Sequence, residues 1–247
     1  KLTLFKNRKR FGIEKNIDII FKNTALVLSS FVAIILLGII LVVFFQSFES
    51  FSRYGLKFLV TSEWNPVKDE YGAFTAIYGT LVTSFLSLLI TIPLGVGTAI
   101  FITEDFVPKV AREIIGSFVE LLAAIPSVVL GLWAIFVMEP FFRAFFVFLH
   151  NFFGWMPLFS TEPTGRNSLL AILILVVMLL PIVTSIARDS LNQVPKKLRN
   201  AAYGIGASRW KTIFSVILPA ALSGIMAGVL LALGRAMGET MAVTMII

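Results

Sequence analysis

The chain has 247 residues, 57% of them hydrophobic and 14% charged, with a mean hydropathy of +0.92, which excludes an ordinary soluble domain and fits an integral membrane protein. Cysteine is absent and His150 is the only histidine, so disulfides and a His/Cys metal site are excluded. The net charge of +7 does not point to nucleic acid, because the basic residues flank apolar runs, where they set topology and meet anionic membrane lipid.

Uncharged stretches long enough to cross a bilayer, about 20 residues each, predict an all-α protein with five spans. The spans are placed at about 24–45, 76–103, 118–138, 168–187 and 214–243, the third with Glu120 near its start and the fifth containing Arg235 and Glu239. The spans are read as a single membrane domain over 24–247, preceded by a basic segment at 1–23. The first uncharged run, the 26 residues Asn23 to Phe48, lacks a small-residue cleavage site and reads as a retained anchor. Lys and Arg are retained on the cytoplasmic side of short loops. Segments 1–23, 104–117 and 188–211 carry seven, two and six of them, and the alternate segments 46–75 and 139–167 carry three and two. The expected N-terminus is therefore cytoplasmic. The chain opens at Lys1 and stops at Ile247 within an apolar run, so a sixth span beyond it is expected.

Within the spans, Pro93, Pro126 and Pro181 each remove a helical hydrogen bond and predict kinks. Ser127, next to Pro126, can reach either a backbone carbonyl or a passing anion. Glu120 is expected near the cytoplasmic interface, paired with a basic loop. The phenylalanines from Phe141 to Phe153 and Trp155 predict a short helix in the outer interface. The charges of segment 46–75 read as mostly solvated.

Residues 200–219, NAAYGIGASRWKTIFSVILP, form a polar, basic, glycine-punctuated stretch between two apolar runs. Ala201, Ala202, Gly206, Val216, Leu218 and Pro219 fall at the spacing of the EAA loop, by which ABC importer permeases engage their ATPase, and with Asn200, Ala207, Ser208 and Arg209 they are the candidate coupling residues. This stretch resembles that loop, with Asn200 where the family usually has Glu. A coupling loop is expected at about 195–213. Small Ala201 and Ala202 permit close approach of a partner, and Gly206 allows a turn. Pro219 is expected near the start of the fifth span. No G-x-x-x-x-G-K-[ST] stretch is present, so the chain is not read as an enzyme and no cofactor is expected on it.

The run Leu233-Gly-Arg-Ala-Met-Gly-Glu-Thr-Met-Ala-Val243 places opposite charges deep in the fifth span. Arg235 and Glu239 are four apart, hence expected on one helix face. Intramembrane charges usually face a partner or a watery path. Two readings stay open: a translocation path lined by Arg235, Glu239, Thr240 and Ser127, or a structural ion pair. Gly224-x-x-x-Gly228 and Gly234-x-x-x-Gly238 suit close helix approach, expected against a partner permease.

Taken with Glu120-Leu-Leu-Ala-Ala-Ile-Pro-Ser-Val-Val-Leu-Gly-Leu-Trp133 and Trp64-Asn65-Pro66, these motifs resemble the PstC family of phosphate-importer permeases. The resemblance implies a type I ABC importer permease fold in the cytoplasmic (inner) membrane of a bacterium or archaeon. It implies a related PstA-like permease subunit, two PstB-like ATPase subunits holding ATP-Mg, and a PstS-like phosphate-binding protein. It also implicates Arg235 and Glu239 in phosphate passage. Rival readings are a sulfate or molybdate permease and an ion-gradient-driven transporter.

Overall fold

A computed structural model describes residues 12–104, 106–156, 159–160 and 167–247. The first eleven residues of the basic segment 1–23 lie outside the described residues. The chain divides into two compact units, 1–75 and 76–247, where one membrane domain from residue 24 was expected. Among the described residues, five helical stretches are long and apolar enough to cross a membrane.

In the first unit, α1 (Gly12–Tyr54) is far longer than the predicted span at 24–45. Its most apolar window is unburied by the rest of the chain, so a helix that is apolar on every side has only lipid or another chain to cover it. After α2 (Lys57–Val60), a short antiparallel hairpin pairs β1 (Trp64–Asn65) with β2 (Glu70–Tyr71). Trp64 and Tyr54 both meet Tyr71 edge to face, and Arg53 pairs with Asp69 at 2.7 Å. Not every charge of segment 46–75 is therefore simply solvated.

The second unit is built around α7 (Ser168–Gln193), the most buried of the long helices. Asn167 caps its start by accepting from the Leu170 N–H at 2.8 Å. The helix runs about two turns past the predicted end at 187. Around it pack α3 (Phe74–Thr103), α4 (Lys109–Ala124), α5 (Ser127–Trp133) and α10 (Leu218–Met237). Pro93 and Pro181 sit inside unbroken helices, α3 and α7.

Pro126 does more than kink. Ile125 before it is extended, at φ −74° and ψ 127°, the conformation that a following proline imposes. The predicted span 118–138 is thereby split. Residues 109–124 form the separate amphipathic helix α4, and the membrane-length stretch runs from Ser127 to Phe153. That stretch comprises α5, a π turn at Ala134–Met138 and α6 (Glu139–Phe153), so the expected interfacial helix at 141–153 belongs to it.

The fifth long stretch, Arg209–Met237, has the same construction. After α8 (Lys196–Gly204) and α9 (Arg209–Thr212), a π turn at Ile213–Ile217 leads into α10. Pro219 thus lies well inside the apolar stretch instead of near its start. Both π turns immediately precede a helix carrying proline in its first positions, Pro140 and Pro219. A proline ring clashes with the carbonyl four residues back, which is Phe136 or Ser215, within the turn in each case. The wider turn gives room there. The last element, α11 (Met241–Ile246), packs on α5 and α7.

The Gly224-x-x-x-Gly228 face meets α7 of the same chain, which corrects its expected use against a partner permease. A Cβ on Gly228 would lie 2.9 Å from Ile186 Cγ2, and one on Gly224 would lie 2.3 Å from Ser190 Oγ. Absence of a side chain at these two positions lets α10 lie against α7.

Candidate functional site

The coupling-type segment begins where Pro195 caps α8, its φ of −57° already suited to a helix start. Asn200 and Ala201 face outward, whereas Ala202 is buried. Of the two small residues expected against a partner, only Ala201 is available to one. Ala202 is small because it packs inside this chain.

The end of α8 explains Gly206. The Ala207 N–H donates to the Ala202 carbonyl at 3.1 Å and the Gly206 N–H to Tyr203 at 2.9 Å. This is a Schellman cap, which needs a left-handed residue at Gly206. Gly206 has φ +83°, and no atom lies within 4 Å of where its Cβ would be, so the backbone alone demands glycine. Ser208 then caps α9, its Oγ accepting from the Lys211 N–H at 3.4 Å. Three consecutive residues, Gly206, Ala207 and Ser208, close one helix and open the next. Arg209 stays exposed at the start of α9, with its guanidinium 5.1 Å from the Phe106 ring. Leu218 packs partly into the cluster of Ala99, Leu191, Ile213 and Ala221, and Pro219 is exposed.

At the other end of α10, Arg235 and Glu239 are paired, Nη2 to Oε2 at 3.6 Å. They do not share a continuous helix, as their spacing had suggested. The helix ends at Met237, Gly238 caps it, and the chain is unwound at Glu239 and Thr240 before α11. Glu239 has 7% of its side chain exposed and Arg235 has 50%. The second carboxylate oxygen, Oε1, accepts from the Ala242 N–H at 3.2 Å. Glu239 thus answers both a cation and a backbone donor freed by the break. Thr240 is exposed, and its carbonyl accepts from Thr244 Oγ1 at 2.6 Å. Ser127 is half-buried at the first position of α5, and Ala242 of α11 approaches Gly131 in the same helix.

One ion pair had no counterpart in the sequence reading. Glu104, one residue past α3, forms an ion pair with Arg199 of α8, joining positions 95 apart in the chain. Glu120 pairs at 3.3 Å with Arg188, a residue of the basic segment 188–211 at a position where α7 continues as helix. No spacing rule reaches across such separations. The only trace in the sequence is that each acid borders an apolar run, Glu104 just after 76–103 and Glu120 just before 121–138.

The model of the family described as binding-protein-dependent transport system inner membrane component matches residues 91–247, from the middle of α3 through α11. The chain belongs to that family. It is a multi-pass membrane component of a transport system, not a catalytic domain. The phosphate transport system permease protein PstC of Mesorhizobium japonicum is 43% identical over 222 residues, covering 88% of this chain and 67% of that protein. The protein of the same name from Pasteurella multocida is 40% identical, covering 85% of this chain and 67% of its own length. That from Haemophilus influenzae is 39% identical, with 90% and 71% covered. Among solved structures, the inward-facing MetNI methionine ABC transporter superposes with a TM-score of 0.53 at 20% identity, over 66% of this chain and 68% of that one. That likeness is one of fold, the type I ABC importer permease fold.

Proposed function

We propose that this chain is the permease subunit of an ATP-driven importer and forms half of the path for inorganic phosphate. The observation that carries the substrate is the 39–43% identity to three phosphate transport permeases over 85–90% of this chain. The Arg235–Glu239 pair supports it, because a half-exposed arginine held by a nearly buried acid suits transient exchange of one anion for another. When the path is empty, Glu239 holds the guanidinium. When phosphate arrives, its oxygens take that place, while Glu239 keeps its hold on the Ala242 N–H. Thr240 and Ser127 supply hydroxyls to the same path.

α8 and its caps form the surface that an ATPase grips, with Asn200, Ala201 and Arg209 exposed on it. The partners are a related permease subunit, two ATPase subunits carrying ATP-Mg, and an external phosphate-binding protein. The chain itself binds no cofactor. Its N-terminus and α8 lie on the cytoplasmic side of the bacterial or archaeal inner membrane, in keeping with the excess of Lys and Arg there.

Radiolabelled phosphate uptake into proteoliposomes tests this, using the full-length chain with its partner permease and ATPase, internal ATP and external binding protein. Uptake that needs both ATP and binding protein, and that excess sulfate does not suppress, is the expected result. Uptake driven by an ion gradient without the ATPase would overturn it.

A further inference from the structure

The connection between α3 and α4 touches both halves of the α8–α9 segment. Glu104 has only 8% of its side chain exposed, and Arg199 of α8, to which it is ion-paired, has 19%. Arg199 also donates from Nη2 to the Leu191 carbonyl in the last turn of α7, at 2.9 Å. Two residues on, the Phe106 ring lies 5.1 Å from the Trp210 ring of α9 and under the Arg209 guanidinium. Phe106 also packs against the cluster that joins α3, α7 and α10. The Glu104 carbonyl is held by the Phe106 N–H at 2.7 Å and by Arg112 Nη2 of α4 at 3.4 Å.

Burying a carboxylate is unfavourable unless it is paired, and removing one partner of a buried pair leaves an uncompensated charge. Along α8 itself only Ala202 is fully buried, so that helix has few other attachments to its own chain. A displacement applied to its exposed face must pass through the attachments it has. One is the Glu104–Arg199 pair. Another is the aromatic contact of Phe106 with α9, the element joined to α8 by the Gly206 cap. Both lead to Glu104 and Phe106, just past the end of α3.

We propose that Glu104 and Phe106 are positioning residues that make the α3–α4 connection a bracket on α8 and α9, passing an ATPase-driven displacement of α8 into α3. This rests on α8 being the ATPase handle. The bracket acts on how much transport each hydrolysis event yields, not on whether the ATPase binds.

These 247 residues contain no cysteine, which allows introduced thiols to be compared directly with the same transporter lacking them. Glu104→Gln and Phe106→Leu are compared with a Glu104→Cys/Arg199→Cys pair joined by a bifunctional thiol reagent with a reducible spacer. Three quantities are read: co-purified ATPase, ATP hydrolysis stimulated by the binding protein, and phosphate taken up per ATP. The two single variants should keep the first two and lose roughly two- to thirty-fold of the third, the range set by coupling changes of this kind. Cross-linking the cysteine pair should restore the ratio, and reduction should remove it again. A ratio unchanged in both single variants, or a cross-linked pair that stays uncoupled, would overturn the bracket while leaving the handle. Failure of the ATPase to co-purify with the unaltered chain would overturn the handle, and the bracket with it.

Discussion

Gly206 offers the sharpest test of the coupling segment, because its requirement is purely conformational. At φ +83° a residue with a Cβ is strained by roughly 1–2 kcal/mol, yet a Cβ there would touch nothing within 4 Å. Escaping the strain means opening the cap and losing the bonds to Ala202 and Tyr203, at about 0.5–1.5 kcal/mol each. Either route costs about the same, so Gly206→Ala should lower the population of capped α8 by roughly 5- to 30-fold. Asparagine is larger than alanine but enters the left-handed region more readily. The expected order of function is therefore Gly, Asn, Ala, Val. The assay is ATPase co-purification and phosphate uptake per ATP in the reconstituted complex, with membrane insertion checked separately and expected to be intact. Alanine outperforming asparagine would refute the conformational reasoning and show that side-chain volume against the partner is what counts.

Arg235→Ala should abolish phosphate uptake while the complex still assembles, and full uptake in that variant would leave only a structural ion pair. Gly228→Leu should lower the thermal midpoint of the detergent-solubilised protein, since its Cβ would start 2.9 Å from Ile186 Cγ2 and overpacking costs about 1–3 kcal/mol; an unchanged midpoint would mean that α10 does not rest on α7. A single cysteine at exposed Lys197 should react with an impermeant thiol reagent only from the cytoplasmic face, and labelling from outside would invert the topology.

Spans were legible in this sequence to the extent that hydropathy decides them, and illegible where backbone chemistry does. The runs 76–103 and 168–187 were found because charge is missing over a bilayer's length, and α3 and α7 occupy them. Hydropathy does not register that Pro126 separates α4 from α5, or that Gly238 ends α10 before Glu239. The spacing of Gly224 and Gly228 marked a close approach correctly and named the wrong partner, because a small-residue face says nothing about which helix fills it. Gly206 was legible as a turn. The burial of Ala202 was not, since it depends on how α8 packs within the chain.

The buried carboxylates near α8 and α11 follow one pattern that explains why those acids are tolerated. Glu104 stands just beyond the end of α3 and Glu239 just beyond the end of α10. Inside a continuous apolar helix, every backbone donor is already satisfied and a carboxylate must find all its partners among side chains. At a helix end, backbone groups are themselves short of partners, so two deficits can cancel. Glu239 shows this directly, with one oxygen toward Arg235 and the other on the Ala242 N–H. On the Arg199 side, the cation that meets Glu104 also donates to the Leu191 carbonyl in the last turn of α7, beside the Val194 N–H that the same carbonyl accepts. Breaking the helix and burying the charge are therefore coupled features of the chain. The break at Gly238 is part of what lets Glu239 be buried at the end of an apolar helix.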